Sequence, residues 1–297
     1  MADAKPGDES ISAALRKVLN AHGYGFQYSI LQACLNRRMW LDPIAEFPVE
    51  LHGASVHIDF ILGYDSHLLV AECKKVDGWT WAFARGHRNV AGRWAQYPRV
   101  DVLRWNPASN NFLERDARAL IPWEGTYDVA VAFKSHRQKA NEPENGANVQ
   151  KDTTTKALDQ AVTQVFRATG GLMQRLEGEW MQTRYQGGAI VPVIFTNALL
   201  VVTDMELFQA NVDTGRVPEI DAHPTDYVWF NYNLSPDLQP RIRRARQPAS
   251  DLRDMKILRN IQDHDTLKSV AIVSPAGIVR FLENLTGFVN ARPNPID

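Results

Sequence analysis

Asp59, Glu72 and Lys74 are the residues of this chain best suited to chemistry. They lie in VHIDFILGYDSHLLVAECKK (56–75), where two apolar runs flank a polar turn. An acid inside an apolar strand is costly to desolvate, so a metal ion or a partner charge usually accompanies it. Side chains on a strand alternate between faces. Leu68, Val70, Glu72 and Lys74 therefore share one face of the second run, and Asp59 shares a face with His57 and Ile61 on the first. If the runs pair through the 63–66 turn, Asp59 and Glu72 come within reach of one hard cation, helped by the backbone carbonyl of Cys73. Mg2+ suits such a site because it takes few protein oxygens and keeps several waters; Mn2+ is the alternative ion. The ion would acidify a bound water and offset charge on a phosphate. Lys74 would position or deprotonate that water and stabilise the transition state. The expected chemistry is phosphodiester hydrolysis. The competing structural reading makes Asp59 a turn-proximal acid and Glu72–Lys74 an edge-strand pair. Two successive apolar strands, each with an unpaired acid, would be an odd scaffold.

The elements that must hold these residues can be read from periodicity. Residues 1–10 read as a polar tail and 11–19 as a short helix. Phe26, Ile30 and Cys34, with Leu31 and Leu35, recur at helical spacing to about Arg38. IAEFPVEL (44–51) alternates, placing Ala45, Phe47, Val49 and Leu51 opposite Glu46, Pro48 and Glu50. With 56–62 and 67–74 it predicts a three-strand meander. Leu158, Ala161, Val162, Val165, Phe166, Leu172, Met173 and Leu176 form one wide apolar stripe of a helix. AIVPVIFTNALLVVT (189–203) reads as two strands around a turn at Asn197, YVWFNYNL (227–234) as another strand, and SVAIVS plus PAGIVRFLENL as a strand and a closing helix. This order predicts an α/β sandwich with a central mixed sheet. No glycine-rich strand-to-helix turn, no GxxxxGK[ST] and no GxSxG is present, which argues against dinucleotide, P-loop and nucleophile-elbow chemistry.

Asp59, then thirteen residues on Glu72-Cys73-Lys74, on consecutive strands after an N-terminal helix, resembles the PD-(D/E)XK nucleases of restriction-endonuclease-like fold. The resemblance covers residues 23–74 and 156–203. It implies a three-layer α/β sandwich, Asp59 and Glu72 as Mg2+ ligands, and Lys74 as the catalytic base or stabiliser. Many members add a helix Glu; the corresponding residue here is Gln27, so Glu46 or Glu50 becomes the candidate third ligand. Ile58 stands where the motif has its leading Pro. A polar residue on the later helix often reaches the centre in such proteins, which singles out Gln160 first and Gln164 second; a solvated helix face accounts for the same pattern.

The segment 76–155 is weakly periodic and carries five of the eight tryptophans. It is expected to be a long insertion after the third strand, with a strand at 127–133 and a polar loop at 135–152; 204–297 would extend the same single domain, 11–297. Arg85, Arg88, Arg93 and Trp94 are its candidate nucleic-acid contacts, since arginine meets phosphate and aromatics stack on bases; tryptophans buried in the core are the alternative. RIRRARQP (241–248) is a second basic cluster that reads as a solvated linker.

A net charge of −1 means that any nucleic-acid surface must be a local patch. Cys34 and Cys73, the only cysteines, both lie in apolar surroundings and read as free thiols. The histidines have no zinc spacing. MADAKPGDES lacks the apolar core of a signal peptide and no run approaches membrane-spanning length, so a cytoplasmic protein with no membrane partner is expected. The expected partner is nucleic acid, DNA before RNA, with a homodimer or a larger assembly open. A non-catalytic nucleic-acid-binding or assembly subunit is the alternative function.

Overall fold

The alternation read in 44–74 folds into a meander that extends further at its outer end than the apolar pattern indicates. In this computed structural model the described residues are 12–14, 18–19, 23–35, 39–64, 67–76, 78–85, 98–106, 111–118, 126–133, 154–179, 187–206, 221–239 and 267–290. The first half contains α1 (Tyr24–Leu35), β1 (Met39–Leu51), β2 (Ala54–Tyr64), β3 (His67–Lys74), β4 (Thr80–Arg85), β5 (Arg99–Asn106), β6 (Asn111–Arg118) and β7 (Val129–Phe133). The second half contains α2 (Thr154–Glu179), β8 (Gly187–Thr196), β9 (Leu199–Glu206), β10 (His223–Pro224), β11 (Tyr227–Asn233), β12 (Leu267–Val273) and α3 (Ile278–Asn290).

The chain is a mixed α/β protein built on a central mixed sheet of order β1-β2-β3-β8-β12-β11. β1, β2 and β3 are antiparallel neighbours, whereas β3, β8 and β12 run parallel. A parallel strand in mid-sheet is buried on both faces and reads as a continuous apolar run. Ile190 through Thr196 of β8 are accordingly all buried. On its edge away from β3, β8 pairs with β5 over 187–190 and with β12 over 193–195. Pro192, which has no N–H to give, falls between these two partners, and that explains a proline in a central strand.

Each face of the sheet has its own core. The stripe of α2 packs Leu158, Val162, Val165, Phe166 and Met173 against one face, together with Trp81 and Phe83 of β4. Helices α1 and α3 cover the other, where Ile30, Cys34, Phe281, Leu282 and Leu285 meet Phe60, Leu69, Val193 and Trp229. The start of α3 follows the sequence signal. Pro275 lies in a single 3-10 turn ahead of the helix, and the Ser274 side chain accepts the Gly277 N–H. A Cβ on Gly277 would stand 2.3 Å from the carbonyl oxygen of Asp226. That oxygen also accepts the Ser274 N–H at 2.8 Å. Gly277→Ala is therefore expected to destabilise the fold by roughly 1–3 kcal/mol through overpacking, read as a lower denaturant midpoint; an unchanged midpoint would refute the contact.

The weakly periodic stretch after β3 contains β4, β5 and β6 as well as β7, and Trp81 is buried in the core. The two strands on either side of Asn197, β8 and β9, lie in different sheets. A second, four-stranded sheet has the order β10-β9-β4-β7, with β4 parallel to β9. The parallel pair β3–β8 ends at Lys74↔Thr196 and the pair β4–β9 begins at Thr80↔Leu199. Both chains therefore turn from one sheet into the other together. Asn197 holds this bend by accepting the Val76 N–H on its side-chain oxygen at 2.7 Å. Strand β3 thus leaves the central sheet immediately after Glu72 and Lys74.

Candidate active site

The register of three neighbouring strands assembles the site. β2 meets β3 at Ile61↔Val70 and Phe60↔Ala71, which leaves Asp59 and Glu72 as the next residue of each strand, just beyond the paired register. β1 meets β2 at Ala45↔Phe60 and Phe47↔Ile58, pairs that bracket Glu46 and Asp59. Glu46, Asp59 and Glu72 thus form one row across β1, β2 and β3, on strands spaced about 4.8 Å apart. Like charges facing each other across strands repel. Three acids in a row therefore need an explanation.

Strand geometry changes at this row. Ile44, Phe47 and Val49 of β1 all pack on the core that α2 covers, as do Val56, Ile58 and Ile61 of β2. The steps 44 to 47 and 58 to 61 are odd, so both strands switch faces at Glu46 and Asp59. Glu46 accomplishes this with φ +51°, a left-handed conformation that costs a residue with a Cβ about 1–2 kcal/mol. This corrects two face assignments. Ala45 is exposed rather than packed with Phe47, and Asp59 does not share a regular face with His57 and Ile61. The separation of Ile44 from Phe47, two large apolar residues at an odd interval, was the sequence signal for the switch.

Hydrogen bonds tie the row together. The Cys73 N–H donates to Asp59 Oδ2 at 2.6 Å. From the first turn of α1, Gln27 Nε2 donates to the Asp59 carbonyl at 3.0 Å and to Glu46 Oε1 at 3.3 Å. Glu72 is 6 % exposed. Lys74 is half-buried, two residues on along β3.

The electrostatics follow from that packing. Burial pushes the Asp59 carboxyl up to about 6, with Glu46 adding to the rise and the Cys73 N–H and Lys74 opposing it. Burial, followed by the charge of Asp59, pushes Glu72 up to about 8, with Lys74 opposing. The same surroundings raise the Cys73 thiol, through burial first and the two carboxylates next, and burial raises Cys34 to about 12. Both cysteines are free thiols, as expected, and neither is an activated nucleophile.

An oxygen-rich site of this kind suits a hard divalent cation, with Glu72 and the free oxygen of Asp59 as donors. Among the described residues, however, no three His, Cys, Asp or Glu side chains are already arranged to hold a metal ion.

The remaining candidates are placed as follows. Glu50 is exposed and pairs with Ser55 at the far end of the hairpin, away from the row. Gln160 is exposed on α2 and Gln164 half-buried, and neither bonds to Asp59, Glu72 or Lys74. The Arg85 guanidinium lies 5.9 Å from the centre of the Tyr127 ring, against the second sheet. Arg88, Arg93 and Trp94 lie outside the described residues. No helix among the described residues is long and apolar enough to cross a membrane. The chain matches no family model, no curated protein and no solved structure.

Proposed function

We propose that this chain is a divalent-metal-dependent nuclease that hydrolyses phosphodiester bonds, with DNA the favoured substrate over RNA. The observation that carries this reading is the hydrogen bond from the Cys73 N–H to Asp59, which ties the Asp59 carboxyl to β3 between buried Glu72 and Lys74, where β3 leaves the sheet. The element order supports the resemblance to PD-(D/E)XK nucleases: a helix, a three-strand antiparallel meander, a helix, then a strand parallel to the third. Asp59 and Glu72, with the Cys73 carbonyl, would hold Mg2+ or Mn2+. The bound ion supplies a more acidic water and a counter-charge for the phosphate.

The chain's own residues contribute the rest. The Cys73 N–H fixes one oxygen of Asp59 and leaves the other free. Glu72, held in a poorly solvated position, gains a large benefit from a cation. Lys74 orients the attacking water and offsets charge at the phosphate.

The test is incubation with single-stranded, duplex and branched DNA and with RNA, in Mg2+ or Mn2+ against EDTA. Cleavage that requires the metal supports the reading, and metal-independent cleavage overturns it. The second reading is a non-catalytic nucleic-acid-binding or assembly subunit. Salt-dependent binding without turnover in any metal, indifferent to Lys74→Ala, would decide for that second reading.

A further inference from the structure

We propose that α1 is the contact helix of a homodimer, pairing antiparallel with the α1 of a second copy along the stripe Tyr24, Tyr28, Leu31 and Leu35. The inference stands on the surface of α1 and does not depend on the chemistry proposed above.

None of the 12 residues of α1 is charged, in a chain where 23 % of residues are. A helix that carries no charge on any side is ordinarily a buried one. One flank of α1 is covered, since Ile30 and Cys34 are sealed into the core against the central sheet. A second flank is not. Tyr28 is 64 % exposed and Tyr24 50 %, Leu35 is exposed as well, and Leu31 is half-buried. Their successive intervals of 4, 3 and 4 residues set them in one seam, the spacing of a helix that packs lengthwise on another helix. Val18 and Leu19, in helical backbone shortly before α1, are exposed too. Single exposed apolar residues are normal, but a concentration of them on one short segment marks an interface.

The chemistry of the stripe selects its occupant. A nucleic-acid backbone calls for Lys or Arg, and so does an anionic membrane surface; α1 offers neither. A second copy needs no counter-charge, because a two-fold axis sets an uncharged stripe against itself. Antiparallel pairing centred between Ser29 and Ile30 brings Tyr24 against Leu35 of the second copy, and Tyr28 against its Leu31. Each aromatic ring then packs on a leucine while its phenol oxygen stays at the wet rim. A parallel pair would instead stack tyrosine on tyrosine and leucine on leucine. Gln27, between the two tyrosines in sequence, donates to the Asp59 carbonyl at 3.0 Å. The paired helices therefore lie beside the candidate site.

The test is the mass of the full chain by light scattering after gel filtration, over a hundredfold range of concentration, with circular dichroism to check that each variant folds. The wild type is expected to move from the mass of one chain towards that of two as concentration rises. Tyr28→Lys changes an exposed position and should weaken the dimer tenfold or more, whereas Tyr28→Phe should behave as the wild type. Oxidative cross-linking of Tyr24→Cys/Leu35→Cys reads the orientation, with the wild type and its two native thiols as the blank. Those positions are about 16 Å apart along one helix, too far to bridge within a chain. A disulfide-linked dimer of the double variant is thus the expected result, with little linkage in Tyr24→Cys alone. A chain that is monomeric at every concentration, or a dimer indifferent to Tyr28→Lys, overturns the proposal. A monomer whose Tyr28→Ala variant loses affinity for a single-stranded oligonucleotide also overturns it, and gives the flank to nucleic acid. Efficient linkage through Tyr24→Cys alone, or none in the double variant, overturns the antiparallel pairing.

Discussion

Glu72→Gln is expected to make the metal-free protein more stable at pH 8–9, by on the order of 2–4 kcal/mol. Native Glu72 titrates at about 8 against an ordinary value of 4.5, mainly because burial penalises its charged form. A carboxyl raised by folding contributes stability that is fully present below its unfolded pKa and is lost as pH rises through its folded one. The wild type should therefore weaken from about pH 5 to 9, with Asp59 adding its part as pH rises from about 4 to 6. Glutamine mimics the protonated carboxyl at every pH, so the variant should escape most of that loss. At pH 5 the two proteins should nearly coincide. Divalent metal reverses the order. It binds the ionised carboxylates, so its stabilisation of the wild type grows with pH through 6–8, whereas the glutamine variant should respond weakly. Denaturant midpoints at pH 5 and 8.5, in EDTA and in Mg2+, measure all four cases. A variant less stable than the wild type at pH 8.5 in EDTA would falsify the account of Glu72 as an acid whose burial penalises its charge.

Lys74→Ala should abolish most catalysis without harming the fold. Lys74 lies at the last position of β3, beyond which the chain departs for the second sheet, and it is only half-buried. It lowers the charging cost of both Asp59 and Glu72, although burial outweighs it in each. Removing one positioned proton-transfer group or charge stabiliser costs about 10²–10⁴ in turnover. The expected result is a drop of that size in kcat for Mg2+-dependent cleavage. Mn2+ affinity should be retained or slightly increased, since a nearby cation has gone. The thermal midpoint should move by no more than a few degrees. Undiminished turnover in the alanine variant would remove Lys74 from the mechanism, and lost turnover accompanied by lost folding would make its role structural.

Much of the scaffold was legible in the sequence because its strands and helices differ in local period. The alternation in 44–51 and the apolar runs at 56–62 and 67–74 gave the meander, and the stripe from Leu158 to Leu176 gave α2 with its buried face. The Pro275 signal gave the start of α3. The segment after Lys75 was harder. β4 is six residues long, and β5 and β6 interleave charges where alternation calls for apolar residues. One such charge, Asp101, is buried in an ion pair with Lys268 of β12. Another polar cluster joins buried Asn231, Ser269 and Thr126, with exposed Asp128 at its edge. Polar groups satisfied inside a protein look like surface positions to any reading that equates polarity with exposure.

Outside the segment after Lys75, the sequence by itself determined most of the strands and helices, and which acids are out of place. Asp59 and Glu72 stand out because their immediate neighbours are apolar, and Lys74 because it follows Glu72 at the strand period. Only the tertiary structure decided partners. The row Glu46–Asp59–Glu72 depends on two registers, and β1 carries irregularities near Leu41 and Ile44 as well as the left-handed turn at Glu46. The bend that sends β3 and β8 together into a second sheet joins Thr80 to Leu199, residues far apart in the chain. Periodicity reports which face a residue is on; it carries no information about which strand lies beside it. That is why the acids could be picked out one at a time from the sequence, while their alignment across three strands required the fold.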